Sequence, residues 1–550
     1  MRGLCPRGAG PSNKKARSYT NTGGPNPVRL SVAEKVNSRK PNTPENRLQS
    51  IGKLWSNPYP RIKSDPLSIT CAKFRFVYHW VPPNKTADGD QVVVHGRIRS
   101  HRTAGSKLIF FDILHNGHKV QVLCNQRILN ESGVTPAQFR EFYHQLRRGD
   151  SFSVKGKPHR TGRGELSILA TELPTLISPC LHDVPLPQKD QDTSPYDRHV
   201  ELLSQPGAAD LLRARARILL HIRNFFTDRE FMEVNTPILA SNSGGAVAQP
   251  FLTTAKEFPD RCLSLRIAPE LWLKRLVVGG FDRVFEIGSS FRNEGIDKTH
   301  NPEFTTCEFY QTYVDLDALM RTTESLMSSL SHDIKQLNEK LGGSLNPISV
   351  NLDGPYPKLD FIPDLEKAMG KTLPDLRAND AMAQVQQLFH DLDLPIPTHI
   401  TLPRLLDKLS SIYLEPLCKQ PTFIINHPEC MSPLSKSFLH PSNGQVVSAR
   451  AELFIDSKEI VNMYEEENSP FAQRQKFENQ LVLRDPEDPG ELDEGYIKTL
   501  EWGLPPTGGW GCGIDRLCML FTGAPRIGDV LSFGNLRRVT VSSKAVEASA

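Results

Sequence analysis

Five residues within fourteen positions carry the sharpest chemical signal: Arg292, Glu294, His300, Asn301 and Phe304, in the stretch FRNEGIDKTHNPEFTTCEFYQTY (291–313). A lone strand arginine is ordinarily a solvated ion-pair partner. This one stands among an acid, an imidazole, an amide and an aromatic ring. Guanidinium is a planar fork that suits phosphate or carboxylate oxygens. Phe304 can stack on a flat heterocycle, while Glu294 and the loop backbone can read its amino edge. Together they describe a place for a nucleotide's base and α-phosphate. A second arginine, Arg516, follows TGGWGCGID, with glycines at 508, 509, 511 and 513. Glycines let backbone approach a ligand closely, and a helix start favours anions, so Arg516 can hold a terminal phosphate. The string is not a P-loop, and glycines serving helix–sheet packing are the plain alternative. The third set is acidic, AELFIDSKEIVNMYEEENSP (451–470). Glu452 and Glu459 can meet across a turn at Asp456-Ser457, where a cation would relieve their repulsion and Mg²⁺ is the natural guest beside phosphates. Glu465 and Glu467 read as solvated.

The elements that must position these groups follow from local pattern. RVFEIGSSFR and FTTCEFYQTYV are strand-like runs around a polar loop, so 283–314 reads as a hairpin. Alternation puts Glu286, Ser290 and Arg292 on one face of the first strand. Thr306, Glu308, Tyr310 and Thr312 share a face of the second. If the faces coincide, an arginine, two carboxylates and a phenol line one surface, suited to a ligand carrying both signs of charge. PPTGGWGCGIDRLCMLFTG (505–523) reads as a glycine-rich turn entering an apolar helix.

The 550 residues suffice for two or three domains, and 38% hydrophobic with 23% charged residues suits a globular chain. No run approaches the ~18 apolar residues of a membrane span. Ten scattered cysteines include no Cys-x-x-Cys pair, which argues against zinc ribbons and disulfide scaffolds. The net charge of +4 is uneven: residues 1–44 alone carry +8, leaving −4 elsewhere. That basic leader has the composition of a mitochondrial transit peptide, its rival being a basic arm that grips nucleic acid. Residues 45–73 read as a short helix, stopped by Asn-Pro-Tyr-Pro, and a connector. From 74 to 180 five strands with a helix near 136–147 give the pattern of an OB-fold barrel. Residues 181–207 read as linker, 208–229 as a long amphipathic helix, and 208–540 as an α+β domain on an antiparallel sheet with flanking helices. A tail, 541–550, closes the chain.

FMEVNTPIL, FRNEGIDKTHNPEF and GWGCGIDRLCMLF resemble the three signature motifs of class II aminoacyl-tRNA synthetases. RIAPELWLKRLVVGGFDRVFEIGSSFRNEG resembles lysyl-tRNA synthetases in particular, and the resemblance runs over roughly 45–540. It implies catalytic roles for Arg292, on the α-phosphate and the amino-acid carboxylate, and for Arg516, on the γ-phosphate. It places Glu294, His300, Asn301 and Phe304 around adenine, and Glu452 and Glu459 on Mg²⁺. Gly245, Glu270, Glu308, Tyr310, Asn462 and Glu466 fall around lysine, with Glu466, Glu308 and Tyr310 at the ε-ammonium. In the barrel, Phe110, Gln121 and Glu165 match positions that read an anticodon. The implied substrates are ATP, L-lysine and tRNA(Lys), in a homodimer of the mitochondrial matrix, or of the cytoplasm if the leader is not a transit peptide. Glu230, Phe438 and Glu467 stand where the family commonly has Gly, His and Leu. An aspartyl- or asparaginyl-type enzyme, or an inactive RNA-binding paralogue, are the alternatives. The first conflicts with the acids of the pocket, the second with the presence of both arginines.

Overall fold

The computed structural model describes residues 43–186, 197–241, 248–397, 400–482 and 492–541. The leader up to residue 42 and the tail from 542 therefore lie outside the described residues. The chain divides into two compact units, 1–183 and 184–550.

In the first unit, helix α1 (Pro44–Ile51) ends at Gly52. Asn-Pro-Tyr-Pro lies several residues beyond, so glycine and not proline stops this helix. Five strands follow: β1 (Val92–Thr103), β2 (Leu108–His115), β3 (His118–Asn125), β4 (Ser151–Arg160) and β5 (Leu166–Ala170), with α2 (Pro136–Gln145) between β3 and β4. Pairings β1–β2, β2–β3, β3–β5, β5–β4 and β4–β1 close the ring. Closure removes free sheet edges, which is how a small barrel protects itself. Phe111, Phe142, Phe152 and Trp55 fill its interior edge to face.

The second unit opens on α3 (Arg198–Ser204), inside the stretch that composition assigns to a linker. Its few polar residues are the reason for both readings. Arg198 and Glu201 are buried and paired with each other, and they bind Asp529 and Arg538 far along the chain, contacts that local composition does not reveal. Helix α4 (Pro206–Thr227) then lays Ala214, Ile218, Ile222 and Phe226 on the core.

The central sheet holds eight strands: β6 (Met232–Glu233), β7 (Arg283–Phe291), β8 (Glu303–Thr312), β9 (Lys358–Asp360), β10 (Thr422–Ile425), β11 (Arg450–Ile455), β12 (Lys458–Glu465) and β13 (Thr507–Gly513). Their order is β9-β10-β11-β12-β13-β8-β7-β6, antiparallel except at the two outermost pairs. One face of β8, β12 and β13 presents Cys307, Phe309, Met463 and Trp510 to α4 and to α6 (Leu316–Lys340). Trp510 stacks on Phe309 and donates its indole N–H to Thr323 Oγ1 at 2.9 Å. The opposite face carries the chemistry.

Strand β13 corrects the sequence reading of 505–513 as a turn. Glycine is a poor strand former in isolation. Here a Cβ on Gly508 would lie 2.7 Å from Val314, and one on Gly509 1.9 Å from Glu466 Oε1. The neighbours leave room for backbone alone, so the glycines fit the strand and do not break it. At Glu230, just past α4, φ is +64°. A left-handed residue there is the backbone need that the family's glycine answers, and Glu230 meets it while pairing with Arg283 at 2.8 Å.

Candidate active site

The faces of β7 and β8 coincide: Glu286 stands opposite Glu308, and Val284 opposite Tyr310. The pairing continues across the sheet in two rows. One runs Glu286–Glu308–Gly511–Asn462–Glu452. The next runs Tyr310–Gly509–Tyr464–Arg450. Side chains on β8 and β12 therefore rise as walls on either side of a floor, β13, that has none. The result is a trough.

Glu286 is neutralised within the protein, since Arg266 holds it at 2.6 Å. Glu308 is buried, and among the described residues only the Tyr310 hydroxyl, at 3.4 Å, donates to it. Burial, and then the nearby Glu270, push its carboxyl up to about 8. Glu270 opens helix α5 (Glu270–Val278) and accepts from Lys274 at 2.6 Å and from Tyr464 at 2.7 Å. Glu466 is fully buried and ion-paired with Lys274. Burial drives the Glu466 carboxyl well up, with Lys274 pulling the other way and Glu270 and Glu308 adding to the rise. Gly245 lies outside the described residues.

Glu467 does not point to solvent. It is buried, pairs with Lys476 at 2.8 Å and accepts from the Ser469 amide at 3.1 Å. Strand alternation does not extend to it because β12 ends at Glu465. Glu465 is also engaged, accepting from the Leu316 amide at 3.1 Å.

At the hairpin mouth, Arg292 sits 5.2 Å from the Phe304 ring centroid and forms no ion pair among the described residues. Glu294 and His300 are exposed beside it. Asn301 accepts from the Leu536 amide at 3.0 Å and donates to Glu303 O. Arg516 is the third residue of α7 (Ile514–Thr522), reaching Glu459 at 3.6 Å and His300 Nε2 at 2.8 Å. Guanidinium only donates, so Nε2 accepts and Nδ1 carries the proton to Asp297, 2.8 Å away. Desolvation pushes the Asp297 carboxyl up, but hydrogen bonds from Thr299 and His300 outweigh it and hold the group at about 2.

Asp456 and Ser457 form the turn between β11 and β12, both at positive φ, bringing Glu452 and Glu459 onto neighbouring strands. Burial raises the Glu452 carboxyl, but adjacent Arg450 and His427 overcome it and hold it at about 2. Burial and the Glu452 charge push Glu459 up. No cluster of three or more metal-ligating side chains occurs among the described residues. Two repelling carboxylates are an oxygen donor set that fits Mg²⁺ when phosphate oxygens complete the shell.

The cleft is lined by Glu270, Glu308, Tyr310 and Asn462 at one end and by Arg292, Phe304, Glu459 and Arg516 at the other, with Glu294, His300, Asn301 and Glu452 also on its wall. Sequence reading missed Arg450, which binds Asn462 Oδ1 at 3.1 Å and also holds Glu452. That contact leaves the Asn462 amide N–H free to donate. It missed Tyr464 and Lys274 as well. The alternation of AELFIDSKEIVNMYE placed Tyr464 on the Asn462 face, a usable signal; nothing local marks Lys274.

On the barrel, Arg102 covers the Phe110 ring at 4.5 Å. Gln121 accepts from Ser167 at 3.1 Å, and Glu165 pairs with Lys119 at 3.4 Å. Register puts Gln121 opposite both Asp112 and Ser167, so these groups share one face.

Residues 190–537 match the family of class II tRNA synthetases for D, K and N, and residues 92–176 match an OB-fold nucleic acid binding domain. The chain is 41% identical to the mitochondrial lysine–tRNA ligase of Schizosaccharomyces pombe, over 90% of this chain and 93% of the relative. It is 37% identical to the mitochondrial lysine–tRNA ligase of Saccharomyces cerevisiae, over 80% and 81%. It is 33% identical to a lysine–tRNA ligase of Christiangramia forsetii, over 92% and 86%. A trough of acids and tyrosines next to two unlike arginine sites on this sheet, in a chain that also carries an OB-fold barrel, accords with those matches: the chain belongs to the class II tRNA synthetases, in their lysine–tRNA ligase group.

Proposed function

We propose that the trough over β13 takes lysine and the adjoining hairpin mouth takes ATP, in a ligase that forms lysyl-adenylate and passes lysine to the 3′ end of tRNA(Lys). One observation carries the pocket: Glu308, a buried carboxylate with no ion-pair partner among the described residues, faces Asn462 across a glycine floor. Lysine offers two ammonium groups and one carboxylate. Glu308, Glu466 and Tyr310 suit the ε-ammonium, Glu270 the α-ammonium, and Asn462 with Arg292 the carboxylate. That carboxylate is already a nucleophile, so its in-line attack on the α-phosphate requires no protein base. Arg292 and Arg516 act by position and charge on the phosphates. Mg²⁺ held by Glu452 and Glu459 would neutralise the charge of the departing pyrophosphate. An aspartate- or asparagine-specific pocket would need cations where this one has three acids.

Lysine-dependent ATP–pyrophosphate exchange tests the reading. Lysine should stimulate exchange over arginine by roughly 10⁴-fold, as hydrogen-bonding sites reject mismatched analogues; best stimulation by aspartate or asparagine would overturn it. In the same preparation, Phe110→Ala should leave exchange near normal while aminoacylation of tRNA falls, since a stacking platform is worth ~1–3 kcal/mol per base. Equal losses in both assays would point to a folding defect instead.

The basic leader and the mitochondrial names of two relatives support import into the matrix. A fluorescent passenger fused to residues 1–44 should enter mitochondria; a cytosolic passenger refutes the transit peptide. Exposed Ile238, Leu239 and Leu252 support a homodimer, to be checked by sedimentation.

A further inference from the structure

Lys274 has no place in the scheme above, yet it is the most thoroughly buried charge in the pocket. No part of its side chain is exposed. Its ammonium pairs with Glu270 at 2.6 Å and with Glu466, and lies 5.6–5.9 Å from the centroids of Tyr464, Tyr310 and Tyr496. Burying an ammonium costs several kcal/mol unless paired. Burial lowers its pKa, but Glu270 and Glu466 more than reverse this, so it stays charged. A structural ion pair needs one acid. This lysine bridges two, one on helix α5 and one just past the end of β12.

We infer that Lys274 is a positioning residue for substrate choice: a built-in ammonium that reduces the pocket's three carboxylates to the two negative charges that a lysine's two ammonium groups require. The inference rests on the pocket assignment proposed above, with Glu270, Glu308 and Glu466 around the amino acid. Geometry supports the division of labour. Lys274 takes one oxygen of Glu466, while Oε1 has no hydrogen-bond partner and lies where a Cβ on Gly509 would fall, against Tyr310. That oxygen is itself buried and lies directly behind Gly509, which together with Glu270 and Tyr310 lines the cleft. Glu286 does not enter the count because Arg266 already neutralises it, and burial keeps the Tyr310, Tyr464 and Tyr496 phenols protonated. The raised Glu308 and Glu466 carboxyls fit three neighbouring acids of which only Glu270 and Glu466 reach Lys274. Lys274 also fixes rotamers, since Glu270 and Glu466 must both reach one ammonium.

The test is exchange kinetics on the full chain. Lys274→Met keeps length and removes charge; the KM for lysine should rise by roughly 100-fold, the loss expected on breaking a buried pair, with the KM for ATP within about twofold. Glu466→Gln alone should also raise the lysine KM, because one net charge then faces two ammonium groups. The double variant restores the match and should recover at least about tenfold relative to Lys274→Met. A purely structural lysine would also gain from removing both partners, but its loss would lower the thermal midpoint and raise both KM values together, so the melting midpoint is read beside the kinetics. The proposal is overturned if Lys274→Met leaves the lysine KM unchanged, if both KM values rise together, or if the double variant is no better than the single. Glu308→Gln separates the two levels. If it leaves the lysine KM unchanged, the pocket assignment itself fails; if it is damaging while Lys274→Met is silent, only the role of Lys274 falls.

Discussion

Arg292→Gln should lower the turnover of lysine-dependent pyrophosphate exchange by roughly 10³-fold, at the upper end for loss of one preorganised charge donor. The expectation follows from how the arginine is held. Backbone bonds from Phe291 to Arg266, from Arg292 to Pro302 and from Asn293 to Gln249 fix the chain on both sides of it. Its guanidinium stacks near Phe304 and meets no carboxylate among the described residues, so its charge is available to a ligand. Removing it should cost little stability, because no buried acid is left behind. Arg292→Lys should restore the charge but not the planar fork, recovering only part of the loss. Exchange turnover and the thermal midpoint measured together decide the matter. A turnover within about fivefold of wild type, or a fall that tracks unfolding, would remove Arg292 from the chemistry.

Glu308→Gln should raise the KM for lysine by two to three orders of magnitude, the scale of leaving a buried ammonium short of its carboxylate, ~3–5 kcal/mol. The pH profile adds a second signature. Burial and Glu270 push the Glu308 carboxyl up to about 8 in the free pocket, and the proposed pocket takes lysine against its ionised form. Affinity is therefore full above that pH and is lost as pH falls through it. For the wild type, the KM for lysine should drop about fivefold between pH 7 and pH 8, the ratio given by one group titrating at 8. The amide variant should lose the part of the slope that Glu308 supplies. A wild-type KM that rises over this range would contradict the assignment, as would a glutamine variant with unchanged slope and affinity.

Part of the candidate site was legible from strand alternation, and the rest only through the family resemblance. Glu308 and Tyr310 share a face by spacing alone, and Glu452 and Glu459 flank a turn that Asp456-Ser457 announces. The five barrel strands were legible as successive apolar strand-like runs separated by turns, with the helix at Pro136–Gln145 between the third and fourth. Illegible features depend on distant partners. The helix at 198–204 exists through Asp529 and Arg538, more than three hundred residues away. The strand through Gly508 and Gly509 is set by Val314 and Glu466, and no local rule turns a glycine run into a central strand. Glu467 reads as solvated until Lys476, on the next helix, turns back to meet it. Lys274 was hidden in plain view, since i to i+4 pairing with Glu270 is what an ordinary surface helix shows.

The two glycines at the floor of the trough, alike in sequence, would answer to mutation differently. A methyl at 509 would collide with Glu466 and Tyr310, so alanine there would be a packing lesion, visible in melting before any substrate is added. A methyl at 511 would meet its nearest neighbour, Glu308 Cγ, at an ordinary 3.6 Å. The fold has no quarrel with it; the space it fills is the one proposed for the amino acid. For anyone recoding the enzyme toward an unnatural amino acid, position 511 is therefore a dial on the guest, while position 509 is part of the frame.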